Sequence, residues 1–77
     1  ILGSTQQSNT FLKKALNEAL NTLTDTQRHL VMLKDYEGYS YAEIADIMEL
    51  SESQVKVYLH RARAVLRNYL VSKENVV

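Results

Sequence analysis

At 77 residues, with 45% hydrophobic and 23% charged side chains and a formal charge of zero, the chain has the size of one small globular domain and is too apolar for a disordered polyelectrolyte. It lacks cysteine, which excludes disulfides and thiolate metal sites and fits a reducing, cytoplasmic setting; no apolar run approaches the roughly 18 residues of a membrane span, and no signal peptide is visible. There is no proline and the only glycines are Gly3 and Gly38, a composition that favours helix throughout.

The chain begins at Ile1 rather than methionine, which suggests a piece of something longer. Residues 1–9 are polar after the first two and are expected to be a flexible linker or vector-derived leader. The domain proper is expected over 10–71. Its first helix spans about Thr10 to Thr22, with Leu12, Leu16, Ala19, Leu20 and Leu23 recurring at helical spacing as one apolar stripe. Thr24-Asp25-Thr26-Gln27 then reads as a capping box, in which a hydroxyl takes an orphan backbone N–H and the glutamine reaches back. The second helix runs from there to about Tyr36, burying some of Leu30, Val31, Leu33 and the stem of Lys34, and Gly38 stands where a residue with positive φ would stop it.

Ser40-Tyr41-Ala42-Glu43 is a second capping box, opening a third helix over 41–48 with Ile44, Ala45 and Met48 inward. Ser51-Glu52-Ser53-Gln54 is a third, opening a fourth helix to about Leu70 with Val55, Leu59, Ala62, Leu66 and Tyr69 on one face. Residues 72–77 are expected to form a frayed tail. The fold class is therefore all-α, four helices and no strand.

Only Glu49-Leu50-Ser51 separates the third and fourth helices, a break that suits a helix-turn-helix, although a plain helical hairpin would have an equally short one. Ile44, Met48, Leu50, Val55 and Tyr58 supply a shared apolar core, and Ala45 is small where the fourth helix crosses. Glu49 departs from the glycine common in such turns, and a left-handed conformation there would cost about 1–2 kcal/mol.

The charge is unevenly divided. Residues 1–50 hold four basic and seven acidic side chains, whereas residues 51–77 hold five basic and two acidic, the asymmetry of a polyanion-binding half. Basic residues toward a helix C-terminus also complement its dipole, so charge alone decides nothing. The outward face of the fourth helix is more specific. With Val55 at the buried centre and ~100° per residue, Ser53, Val57, His60 and Ala64 point away from the core, flanked by Gln54, Lys56, Arg61 and Arg67. The N-terminal half of such a helix enters the major groove. Ser53, Gln54, Lys56, Val57, His60 and Arg61 are thus the candidate DNA-facing residues: Arg61 can fork onto a guanine and Val57 can meet a thymine methyl. Arg63 and Lys73 are read as solvated charges.

Glu37-Gly38-Tyr39-Ser40-Tyr41-Ala42-Glu43-Ile44-Ala45, followed by Val55-Lys56-Val57-Tyr58-Leu59-His60-Arg61-Ala62-Arg63 and Leu66-Arg67, resembles region 4 of the extracytoplasmic-function sigma factors, a C-terminal helix-turn-helix module of the winged-helix-like DNA-binding superfamily. The likeness extends over about residues 12–70, taking in the Leu16–Leu23 stripe, Arg28 and the Leu30–Leu33 cluster. "E-I-A" is shared by many helix-turn-helix families; its combination with V-K-V-x-L-H-R-A-R is much more specific. Thr24 stands where the family often has proline and Glu49 where it has glycine. The resemblance implies that the module reads the upstream (−35) promoter element within a sigma factor directing RNA polymerase to initiate transcription. It also implies docking on the polymerase β-flap and possible capture by an anti-sigma protein. Carried over by position, Ser53, Lys56, Val57, His60 and Arg61 form the reading face, and Lys34 and Tyr41 touch the DNA backbone.

Two other readings stay open on the residues. The output domain of a LuxR-type response regulator has four helices and an E-I-A of its own; a pure interaction module would be held mainly by an anti-sigma protein. An enzyme is not expected. His29 and His60 are the only histidines, no nucleophile–base–orienter set is apparent, and Gly3 and Gly38 are too far apart for a phosphate loop. No metal, cofactor, small-molecule substrate or membrane contact is expected.

Overall fold

The computed structural model describes the backbone of residues 2–74 and the side chains of residues 10–73. Ile1 and residues 75–77, the ends of the expected linker and tail, lie outside the described residues. Four α-helices follow one another without a strand among the described residues: α1 (Leu2–Leu20), α2 (Asp25–Val31) continued by a π-helical turn (Met32–Tyr36), α3 (Tyr41–Met48) and α4 (Glu52–Glu74). α4 is the common partner against which α1, α2 and α3 all pack.

All three capping boxes form. Thr24 Oγ1 accepts from the Gln27 N–H at 3.2 Å while Gln27 Oε1 accepts from the Thr24 N–H at 3.1 Å. Ser40 and Glu43 exchange the same pair at 3.1 and 2.8 Å, and Ser51 and Gln54 at 3.1 and 2.9 Å. Each box satisfies two backbone donors that a helix start otherwise leaves orphaned.

The helix ends are set by different devices. α1 tightens after Leu20 into i→i+3 turns, the Thr22 N–H donating to Ala19 and the Leu23 N–H to Leu20. Arg28 then reaches back from α2, its Nε donating to the Leu20 carbonyl and its Nη2 to the Leu23 carbonyl, both at 3.1 Å. The second helix runs to Tyr36 as the periodicity predicts, but its last turn widens: the Glu37 N–H bonds to Met32 and the Tyr39 N–H to Leu33. Gly38 closes this turn at φ 80°, a conformation free of Cβ strain only for glycine. Glu49 adopts the left-handed conformation at φ 58° and ψ 46°. The turn therefore keeps the geometry that a glycine would give, with the Leu50 N–H closing on the Ala45 carbonyl at 2.9 Å and the Leu50 side chain packed on the core.

Leu20, Leu23, Leu30, Val31, Ile44, Val55, Leu59 and Ala62 form the buried core, with Leu16, Leu33, Tyr41, Ala45, Met48, Leu50, Tyr58 and Leu66 packed around it. Four expectations need correction. First, α1 begins at Leu2 rather than near Thr10, because nothing between Gly3 and Leu20 breaks a helix; the backbone of residues 2–9 is helical. Second, α4 continues to Glu74, so residues 72–74 are helical; no glycine or proline stops them, and Lys73 is held 3.7 Å from Glu18 and 5.5 Å from the Tyr69 ring. Third, Leu12 is 61% exposed: the apolar stripe of α1 is longer than the core it meets, and burial starts only near Leu16. Fourth, neither Arg63 nor Lys73 is a free solvated charge. Lys73 pairs with Glu18, and Arg63 makes a two-point ion pair with Asp35.

Candidate nucleic-acid interface

The turn Glu49–Ser51 orients α4 so that Val55, Leu59 and Ala62 are fully inside. Ser53, Gln54, Lys56, Val57, His60 and Arg61 are all exposed, as the 100° count requires. Val57 is 45% exposed, an apolar group in water at the middle of a polar face. Such a residue gains from meeting an apolar partner, and the methyl group of thymine is one. Ala64 is only half-buried and lies too far along α4 to share the leading end.

The two flanks of this face differ. On one side, Arg61 shares a shallow depression with Thr24, Thr26, Gln27 and Tyr58, so its stem lies beside the start of α2. On the other side the structure brings together three of the residues assigned from sequence. Lys34 Nζ lies 4.4 Å from the centroid of the Tyr41 ring and Lys56 Nζ 5.3 Å from it. Lys34 Nζ also donates to the Tyr39 carbonyl at 3.2 Å. The π-helical turn, the first residue of α3 and the second turn of α4 thus meet at one aromatic ring carrying two ammonium groups. Cations over an aromatic face are attracted by its quadrupole, by about 0.5–1 kcal/mol at exposed sites. The arrangement offers two fixed positive charges to a phosphate.

Gln54 is placed differently from its neighbours. Its Oε1 is engaged by the Ser51 N–H, so the side chain folds back over the start of α4 and only its NH₂ group is left to face a ligand. Ser53 and His60 have no such commitment among the described hydrogen bonds.

Hydrogen bonding from the Ser40 backbone and hydroxyl, helped by the charge of Lys34, holds the Glu43 carboxyl below the ordinary glutamate range. Glu43 thus serves its capping box. The Arg63 guanidinium is held in its charged form more firmly than usual by its hydrogen bonds to Asp35, against the opposing effect of burial, with the charge of Asp35 and the Tyr41 phenol adding to the same direction. The Asp35–Arg63 pair, with Arg63 Nε donating to Asp35 Oδ2 at 3.1 Å, joins the π-helical turn to α4 across 28 residues of sequence. Sequence reasoning missed it. The available signal was that Arg63 follows Lys56 by seven residues, nearly two full turns, and so shares its side of α4.

A second surface is apolar. Phe11, Leu12, Ala15, Leu66, Leu70 and Val71 line an open groove between α1 and the C-terminal half of α4, edged by Lys14, Arg67 and Lys73. Phe11 is 73% exposed. This groove uses α1 and the end of α4 rather than α2, whose Leu30 and Val31 are consumed by the core.

With this geometry in view, the chain is similar to proteins of known class. A family model described as Sigma-70, region 4 matches residues 13–66. The RNA polymerase sigma factor YlaC of Bacillus subtilis is 37% identical over 68 residues, which is 87% of this chain and 39% of that protein. The ECF RNA polymerase sigma factor SigX of the same organism is 40% identical over 52 residues, 68% of this chain and 27% of its own length. The RNA polymerase sigma-E factor of Streptomyces coelicolor is 39% identical over 59 residues, 77% of this chain and 33% of its own. The chain spans between about a quarter and two-fifths of the curated relatives it matches.

Proposed function

The chain belongs to the sigma-70 region 4 family, and from that premise we propose that it is the part of an extracytoplasmic-function sigma factor that binds the −35 promoter element when RNA polymerase initiates transcription. The observation that carries this is the outward face of α4, where Ser53, Lys56, Val57, His60 and Arg61 are exposed together on a helix whose opposite side is buried at Val55, Leu59 and Ala62. The N-terminal half of α4 enters the major groove. Arg61 forks onto a guanine edge, Val57 meets a thymine methyl, and Ser53 and His60 read neighbouring positions. Lys34, Tyr41 and Lys56 hold the phosphates on one flank. Gln54 contributes its NH₂ group at the groove entrance. The LuxR-type alternative loses its support, since the matched family is the sigma one.

Two protein partners belong to the same reading. The groove between α1 and the end of α4 exposes Phe11, Leu12 and Val71 together, and exposed apolar patches mark interaction sites. We assign to it the β-flap of RNA polymerase; an anti-sigma protein covering the same groove would compete with polymerase for the module.

The test is Arg61→Glu. Arg61 is exposed, so its reversal leaves stability within about 0.5 kcal/mol. At the groove it replaces a bidentate guanine contact, worth roughly 1–3 kcal/mol, by a carboxylate facing acceptors and phosphates. The variant is expected to fold like the parent and to lose promoter binding in a titration against duplexes carrying candidate −35 sequences. A folded variant that binds promoter DNA as well as the parent would show that α4 is not the reading helix.

A further inference from the structure

We propose that the Asp35–Arg63 ion pair is a positioning device for DNA binding, holding the π-helical turn against α4 so that Lys34 and Lys56 share the Tyr41 ring and meet the DNA backbone pre-arranged. The inference rests on the DNA-binding reading above and goes beyond it, because neither member of the pair is on the reading face.

Connectivity is the first ground. Asp35 is the chain neighbour of Lys34 within the π-helical turn Met32–Tyr36. Arg63 follows Lys56 by seven residues, which at 3.6 residues per turn returns it to the same side of α4 within about 20°. The pair therefore couples the backbone that carries one lysine to the helix that carries the other. Tyr41, where both ammonium groups converge at 4.4 and 5.3 Å, starts the helix that lies between them in sequence.

Geometry is the second. Asp35 accepts from both Nε and Nη2 of Arg63, the fork that fixes orientation as well as distance. The backbone it steadies is a widened turn, closed by the longer bonds from Glu37 to Met32 and from Tyr39 to Leu33 and followed by Gly38 at φ 80°. Long flexible lysines fixed before the ligand arrives spare the complex the cost of ordering them.

The sign of a charge effect is the third ground, because it separates positioning from plain electrostatics. An aspartate beside a phosphate-binding cluster repels DNA. If Asp35 acts only through its charge, removing it tightens binding; if it positions the lysines, removing it weakens binding.

The experiment uses the whole 77-residue chain and a short labelled duplex of mixed sequence, since phosphate contacts are independent of sequence. Binding is followed by fluorescence anisotropy over a series of salt concentrations. Asp35→Ala is expected to weaken binding roughly three- to tenfold and to reduce the salt slope by about 0.9, the loss of one phosphate contact. The exchange Asp35→Arg with Arg63→Asp is expected to recover both. A second readout needs no DNA. The ε-methylene protons of Lys34 and Lys56 are expected to resonate upfield in the free parent through the Tyr41 ring current, and to relax toward random-coil positions in both Asp35→Ala and Tyr41→Leu. Binding by Asp35→Ala that equals or exceeds the parent overturns the proposal, and so does weakened binding with unchanged lysine shifts, which would indicate a merely structural loss. A parent that binds no duplex at any salt concentration overturns the DNA-binding reading itself, and this role of the pair with it.

Discussion

Arg28 Nε donates to the backbone carbonyl of Leu20 at 3.1 Å, so the second helix closes the end of the first. The same guanidinium takes the Leu23 carbonyl through Nη2 and the Asp25 carboxylate through Nη1. One side chain thereby supplies donors to acceptors on both sides of the α1–α2 turn, where the carbonyls lack their i→i+4 helical partners. Arg28→Ala is expected to destabilise the domain by about 1–2 kcal/mol, since hydrogen bonds to charged groups are worth roughly 1.5–3 kcal/mol and part of the loss is recovered by water at a half-buried site. For a domain of this size, that lowers the Tm by very roughly 4–16 °C. Arg28→Lys is expected to rescue little, because an ammonium lacks the planar fork. Thermal unfolding followed by circular dichroism measures both.

Glu49 supplies a prediction of opposite sign. It is the non-glycine residue with positive φ among the described residues, and the left-handed region costs about 1–2 kcal/mol per non-glycine residue. Glu49→Gly removes that strain but adds freedom to the unfolded chain, so a net gain of about 0.5–1 kcal/mol is expected. Glu49→Val, branched at Cβ, is expected to lower stability. Urea unfolding with an unchanged m-value is the measurement.

Acid should loosen the start of α3. The Glu43 carboxyl is held below the ordinary glutamate range by its hydrogen bonds from Ser40. A carboxyl with a depressed folded pKa stabilises the fold above its unfolded pKa, and that contribution is lost as pH falls through the folded value. The loss is therefore expected below the ordinary glutamate pKa, not near neutrality. Glu43→Gln, which can still cap, is expected to flatten this part of the stability–pH curve. A carboxyl-detected NMR titration of Glu43 checks the direction of the shift.

Within the proposed interface, Lys56 and His60 should separate. Lys56→Ala is expected to weaken all duplexes about equally and to reduce the salt slope by about one, as a phosphate contact does. His60→Ala is expected to leave the slope unchanged and to alter the ranking of promoter sequences. Anisotropy titrations against promoter and scrambled duplexes at several salt concentrations distinguish the two.

The apolar groove is tested by Leu12→Glu. Leu12 is 61% exposed, so the change is expected to cost little stability. It places a carboxylate in the apolar lining, and binding to a purified β-flap fragment is expected to fall at least tenfold while duplex binding is retained. Equal flap binding by parent and variant would remove the groove from the proposed function.

What the amino-acid sequence determined by itself is local. Each capping box spans four residues, and Thr24, Ser40 and Ser51 start their helices where the hydroxyl and the N3 side chain predict. The 3.6-residue period likewise sorted α4 into a buried side at Val55, Leu59 and Ala62 and an exposed one at Lys56, Val57, His60 and Arg61. These features depend on neighbours three or four positions away. The contacts that organise the flanks do not. Arg28 reaching Leu20 crosses eight residues, Lys56 over Tyr41 crosses a helix and a turn, and Arg63 finds Asp35 across 28. Which of these side chains meet is set by how the helices cross. The same packing left Leu12 and Phe11 in solvent although Leu12 keeps the register of a core stripe, because α1 passes over the core only from Leu16 onward. Only the tertiary structure could turn Arg63 from a surface charge into a clasp, since a pair so distant in sequence forms only after α2 and α4 have packed together.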